Sequence, residues 1–302
     1  MTKGLAEREL VRSKDGSTYQ VQRLTEVSEI LPRLEPERAY AAYAICQLEP
    51  HRFPHTRWYL AQGDSGEALL MYATGSLRGP YLGFGADLFC LGDPAALDVI
   101  LRLHPGPRFV GIWAQEEHRP VLRRHFRLVH DTPYVLIRWF TPQDPWSAEA
   151  PIRRLTGADV GQINRLLRSG SYPRLAFYRR RCIDSGLWHG AFEGDRLVCV
   201  DGTEALSPTY GVAITGPALT HPKYRGRGYL KALYYVHIQE IVKGCPLVVG
   251  PTHPDNAPML HIAAVMGMAP TIKVLVPVGF RRLTRGPGSI VRRFLARRQA
   301  RG

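Results

Sequence analysis

Along the second half of the chain the apolar positions switch between the two-residue spacing of strands and the three-to-four-residue spacing of helices. PIRRLT (151–156) reads as a strand, ADVGQINRLLR (158–168) as a helix, and RLAFYRRRCIDSG (174–186) as a second helix closed by glycine. LWHGAF (187–192), RLVCVDGTEAL (196–206) and YGVAITGPALTHP (210–222) are three strand-like runs parted by Gly, Asp and Pro turns. YLKALYYVHIQEIVKG (229–244) then predicts a helix ending at Gly244, PLVVG (246–250) a short apolar strand, NAPMLHIAAVMGM (256–268) another helix and TIKVLVPV (271–278) a last strand. This order predicts a mixed sheet with helices on its faces.

The first half repeats the order with weaker punctuation. A helix is expected over PERAYAAYAICQLE (36–49), strands over RWYLAQ (57–62), EALLMYAT (67–74) and YLGFGADLFCLG (81–92), and a helix from Pro94 to Leu103. Strand RFVGIWA (108–114), helix EEHRPVLRRHF (116–126) and strand PYVLIRWF (133–140) follow. HRPVL (118–122) even resembles NAPML (256–260), so a tandem duplication is the expected architecture. Between the halves, TPQDPWSAEAP (141–151) holds three prolines among polar residues and reads as a linker. The expected division is a flexible N-terminus (1–20), a first domain (21–145), a second domain (150–280) and a basic tail (281–302). The fold class is α/β of the α+β kind, two domains each with a mixed, mostly antiparallel sheet and helices on both faces.

With 45% hydrophobic and 22% charged residues in 302, the chain is composed like a globular protein with a substantial core. No apolar run reaches the roughly 20 residues of a membrane span, and the N-terminus has no apolar signal segment, so a cytoplasmic protein is expected. The five cysteines (Cys46, Cys90, Cys182, Cys199, Cys245) form no CxxC pair and read as free thiols. His51 and His55 are separated by Pro54 and do not suggest a metal site, so no metal is expected. The net charge of +14 is concentrated at the end: residues 281–302 carry eight arginines and no acid, leaving +6 on the other 280 residues. Within that tail Ile290, Val291, Phe294 and Leu295 recur at helical spacing opposite arginines, a surface that could meet RNA, an anionic membrane or a partner subunit.

The stretch that carries chemistry is HPKYRGRGYLKA (221–232). It fits neither a Walker loop nor a dinucleotide fingerprint, and it occurs once, running straight into an amphipathic helix, unlike a repeated arginine-glycine RNA segment. What the spacing permits is a strand, a short turn and a helix whose free N-terminal amides face the turn. Gly226 and Gly228 let an anion approach those amides, and Arg225 and Arg227 add positive charge.

ALTHPKYRGRGYLKAL resembles the acyl-coenzyme A loop of the GNAT N-acetyltransferases, with Arg225, Gly228 and Leu230 in the places of Arg or Gln, Gly, and Gly or Ala. Leu230 departs from the small residue of that pattern. The resemblance continues to Asn256 and Gly267, eleven apart, where the family's next helix opens with Asn and ends in Gly plus an aromatic; Met268 stands in the aromatic's place. It covers roughly residues 150–280. It implies acetyl-coenzyme A, or another acyl-coenzyme A, as co-substrate, its pantetheine arm held between Ala218, Leu219 and Thr220 on one strand and Val248–Gly250 on the other. The amides of Arg225, Gly226, Arg227, Gly228, Tyr229 and Leu230 would bind the pyrophosphate and Asn256 would contact the arm. A primary amine, small molecule or peptide, would then attack the thioester directly.

Many members carry a tyrosine acid seven residues after the Asn; here that position is Ala263. Neither His261, on another face of the same helix, nor Tyr229 or Tyr234 replaces it, whereas Glu204, near the end of a strand facing the cleft, is the candidate base. The first half lacks the loop, reading CLGDPAALDVI (90–100), so it is expected to be a degenerate domain that shapes the cleft or the domain interface. Two rival readings stay open: a non-catalytic acyl-coenzyme A-binding or regulatory protein, because of Ala263, and a transferase acting on or with RNA, because of the arginine tail.

Overall fold

The computed structural model of the chain describes residues 9–13, 16–74, 86–129, 131–140, 151–170, 178–268 and 270–282. The expected linker over 141–150, the start of the expected helix at 174–177 and the tail from 283 lie outside the described residues.

The chain opens as a hairpin, β1 (Glu9–Arg12) with β2 (Thr18–Leu24), where a flexible terminus was expected up to residue 20. The alternation that buries Tyr19 and Val21 and the turn glycine Gly16, at φ +95°, are the local cause. Next come α1 (Val27–Leu34), a 3-10 turn (Glu35–Glu37) and α2 (Ala42–Cys46), in place of one helix over 36–49. Residues 40–49 are all buried, so no polar face marks where that helix begins or ends.

β3 (Thr56–Gly63), β4 (Gly66–Thr74), β5 (Ala86–Gly92), α3 (Pro94–Leu103), β6 (Phe109–Trp113), α4 (Arg119–His125), β7 (Phe126–Val129) and β8 (Pro133–Trp139) complete the first half. The second half holds β9 (Ile152–Arg154), α5 (Val160–Arg168), α6 (Arg180–Asp184), β10 (Trp188–Glu193), β11 (Arg196–Ser207), β12 (Val212–Thr215) and β13 (Leu219–Thr220). After them run α7 (Tyr229–Val242), β14 (Leu247–Thr252), α8 (Ala257–Val265), β15 (Pro270–Leu275) and β16 (Val278–Arg281). Arg281, expected to open the basic tail, ends β16 with its guanidinium 3.0 Å from the Gly106 carbonyl.

Among the described residues these strands form two sheets of the same plan. One runs β1-β2-β3-β4-β5-β6-β16-β7; the other runs β9-β10-β11-β12-β14-β8-β15, with β13 paired to β11. Each has a single parallel pair, β5 with β6 and β12 with β14, in an otherwise antiparallel order. The first strand beyond each parallel pair belongs to the other half of the chain. β8 sits between β14 and β15, and β16 sits between β6 and β7. Sheet membership therefore does not follow the expected boundary at 145–150, because each half completes the other's sheet.

A shared core joins the halves. Leu34, Tyr43, Ile45, Trp58 and Trp113 of the first pack with Ile214, Leu247 and Val249 of the second around α2. The buried Glu49 carboxylate accepts from Ser207 Oγ at 2.7 Å and Thr209 Oγ1 at 2.9 Å across the same boundary, and Arg38 donates to the Tyr210 carbonyl. A buried charge satisfied this way fixes the relative register of the halves more than it adds stability.

Candidate functional site

β13 ends at Thr220, a 3-10 turn (Pro222–Tyr224) follows, and Gly226 and Gly228 take φ values of +81° and +76° before α7. L side chains avoid this left-handed region, so the backbone path itself calls for the RGRG sequence. A Cβ on either glycine would meet nothing within 4 Å, so the space over the turn is open. Gly228 is the N-cap of the 14-residue α7, and no side chain caps it. Its first-turn amides and dipole thus receive no side-chain cap, the local condition under which a helix N-terminus can bind an anion. In the first half the equivalent end is filled: the Asp93 carboxylate accepts from Ala96 N at 2.7 Å and from the Tyr19 hydroxyl at 3.2 Å.

The loop side chains divide into two sets. Arg227 pairs with Glu193 at 2.6 Å and lies over the Tyr224 ring, while the Tyr229 hydroxyl donates to the same Glu193. These residues tie the turn to β10 instead of presenting free charge. Arg225 is exposed, 3.5 Å from the Thr220 carbonyl. Leu230 packs against the apolar clusters on either side of α7, so the residue that departs from the small-residue pattern serves the core. His221 accepts from Lys223 N at 3.3 Å and lies 3.1 Å from the Arg196 guanidinium. Burial, then the charges of Arg196, Lys223 and Arg225, hold its imidazole below the usual histidine range, a sign of the positive potential about the turn.

Beside the loop, the parallel ladder of β12 and β14 runs from Val212 with Leu247 to Ile214 with Val249 and then opens. Gly216 N bonds to the Gly202 carbonyl at 2.6 Å, and Leu219 and Thr220 pair with β11, so that strand turns away from β14. The gap is a cavity of about 70 Å³ lined by Thr215, Gly216, Ala218, Tyr234, Gly250–Thr252, Asn256, Met259, Ile137 and Trp139. Asn256 caps α8, accepting from Met259 N at 3.4 Å and donating to Thr252 Oγ1 at 3.1 Å, and so stands in the cavity wall. Of the other expected arm residues, Ala218 and Gly250 line the cavity. Leu219 packs toward α5 and the Thr220 hydroxyl meets Cys199 Sγ at 3.2 Å.

Glu204 falls at a β-bulge: the register of β11 on β12 shifts between Thr203 and Ala205. A bulge re-aims the extra side chain, and Glu204, half-buried, approaches Gly216 of the cleft on one side. On the other it lines a smaller cavity with Arg52, Cys182 and Trp188. It thus stands between two cavities, one of which reaches the first half through Arg52. Ala263 is fully buried in the core of α8 and His261 is exposed on its outer side, so neither offers an acid. Tyr234 is buried and stacked on Trp139, ring centroids 4.7 Å apart.

Sequence reasoning missed Thr215, Ile137, Trp139 and Met259 in the cleft wall. Two of these lie on β8, whose apolar run, broken at Arg138, marks a strand but not the sheet it joins.

A parallel pair inside an otherwise antiparallel sheet is the fold of the GNAT acetyltransferases, present here twice, and in the second half that pair opens beside an uncapped helix N-terminus. The particular likenesses are to solved structures. A tandem GNAT protein from the clavulanic acid biosynthesis pathway, solved without acetyl-coenzyme A, is 13% identical with a TM-score of 0.52 over 87% of this chain and 98% of its own. A GNAT-family acetyltransferase from Novosphingobium aromaticivorans is 18% identical, TM-score 0.51, over 70% of this chain and 88% of its own. A Drosophila protein is 11% identical, TM-score 0.58, over 91% and 99%. No protein-family model matches the sequence, and no curated protein does. No described helix is long and apolar enough to cross a membrane.

Proposed function

We propose that the protein is an acyl-coenzyme A-dependent N-acyltransferase, most simply an acetyltransferase, working through its second half. The observation that carries this reading is the uncapped start of α7, with Gly226 and Gly228 in left-handed conformation, beside the opened β12–β14 pair. The amides from Arg225 to Leu230 receive the pyrophosphate and the cleft past Ala218 and Gly250 receives the pantetheine arm. The bound cofactor supplies an activated thioester. This chain's residues hold it still and keep water from the arm, which converts a bimolecular encounter into an oriented one. Glu204 takes the proton that the attacking amine sheds. The first half, with Asp93 where the second has an open anion site, shapes the cleft and the interface.

Isothermal calorimetry with acetyl-coenzyme A, followed by thiol release against a panel of primary amines, tests the reading. Micromolar or tighter binding with turnover on at least one amine is expected, and absence of coenzyme A binding defeats it. A second reading, an acyl-coenzyme A-binding regulator without turnover, is favoured by the buried Ala263 where an acid would stand. Tight binding with no thiol release on any amine selects it.

A further inference from the structure

The closed end of the cleft holds a buried donor without an acceptor. Trp139 is 1% exposed, lines the cavity, and its Nε1–H is among the buried polar atoms that have no hydrogen-bond partner. It comes from β8, contributed by the first half, where Trp139 pairs with Val248 and Ile137 with Gly250. The ladder of β12 on β14 ends at Ile214 with Val249, so Thr215 and Gly250 are the first residues of the opening. Around Gly250 the groups converge: a Cβ there would collide with Thr215 Oγ1 and stand 3.0 Å from Trp139 Nε1. Without a Cβ at 250, the Thr215 hydroxyl and the Trp139 indole N–H both close in on a polar notch in the cavity wall. A buried unpaired N–H is costly, and the notch suits an acceptor oxygen that arrives with a ligand.

We propose that Trp139 is the acyl-end residue of the site: its indole N–H donates to the thioester carbonyl oxygen, and its ring limits the acyl group to a short chain. This rests on the acyl-coenzyme A reading above. An arm anchored at the start of α7 runs toward the point where the strands converge, and its thioester is the last polar group to reach that point. There Trp139, stacked on Tyr234, lines the cavity together with Met259 and Ile137. When the amine nitrogen bonds to the carbonyl carbon, negative charge gathers on that oxygen and the donated indole N–H stabilises it. The carbon–sulfur bond then breaks, the sulfur leaves as coenzyme A thiolate, and the proton that Glu204 took from the amine passes through solvent to that sulfur. The indole keeps its own proton throughout. The first half thus contributes a residue to the chemistry of the second.

The test compares the full chain with Trp139→Phe and Trp139→Ala, using calorimetry with coenzyme A, acetyl-coenzyme A and hexanoyl-coenzyme A, with melting temperatures as the folding check. Trp139→Phe keeps the ring and removes the donor. It is expected to leave coenzyme A affinity within about twofold and to weaken acetyl-coenzyme A about three- to tenfold, the worth of one neutral hydrogen bond. Trp139→Ala is expected to shift preference toward hexanoyl-coenzyme A by at least about tenfold, by opening a side-chain-sized space. Equal weakening of coenzyme A and acetyl-coenzyme A by Trp139→Phe overturns the proposal, and if the Ala variant fails to fold that ratio alone decides. A wild-type chain that binds none of the three defeats the acyl-coenzyme A reading itself, a result distinct from the first.

Discussion

At Gly228 the backbone stands at φ +76°, where a β-branched side chain costs about 1–2 kcal/mol and forces the turn to re-form. Gly228→Val is expected to weaken acetyl-coenzyme A binding at least tenfold by calorimetry while the melting temperature falls by only a few degrees; undiminished affinity would sink the loop assignment. Arg227→Ala is expected to change affinity less than about threefold, since its charge is already answered by Glu193 and such exposed pairs contribute little. Glu204→Gln is expected to lower turnover on the best amine by about 100-fold or more with coenzyme A affinity kept, and unaltered turnover would remove it as the base. The loop and Asn256 were legible in the sequence because glycine conformation and helix capping are local facts. Thr215 and Trp139 were not, because nothing local to either reveals that they flank the same glycine.

At the scale of elements, β10, β11 and α7 enclose a chain of ionisable groups that no sequence pattern marked. His189 Nε2 lies 2.8 Å from Glu240, itself held by Arg154 at 3.2 Å. His189 Nδ1 lies 2.8 Å from His237 Nδ1, and His237 Nε2 faces Asp201 Oδ2 at 3.8 Å. A His189 that donates to Glu240 must accept from His237, which leaves the His237 Nε2 lone pair toward Asp201. Burial pushes the Asp201 carboxyl well up and both imidazoles down, His237 further under the influence of His189. Burial thus disfavours the charged form of all three inside the domain. For the histidines, stability is expected to be lost as pH falls through the unfolded-state value of about 6.5, where the unfolded chain takes up protons the fold refuses. Urea midpoints of an Asp201→Asn variant, in which the opposing carboxyl is removed, that do not fall between pH 7 and pH 5 would count against this. For Asp201 the sign is opposite: its cost begins above about pH 3.9 and grows with pH. Asp201→Asn is expected to raise the melting temperature by several degrees at pH 8 and by less at pH 5.

For the whole molecule, most strands and helices were legible because their periods are local, but the exchange of β8 and β16 was not, because pairing partners far apart in sequence leave no local trace. Severing the chain between residues 141 and 150 should leave two fragments, each lacking an interior strand. Separately produced, residues 1–145 and 146–302 are expected to be aggregated or unfolded by circular dichroism, and co-produced to purify as one complex. Two independently folded fragments would contradict this topology. The same exchange bears on how the protein is made. Val278–Arg281 must fill the space between β6 and β7, so a nascent chain carries an open edge in its first sheet through the synthesis of some 150 further residues. The first sheet cannot close until β16 emerges from the ribosome, and a chain stalled shortly before it exposes the facing edges of β6 and β7 to chaperones and proteases.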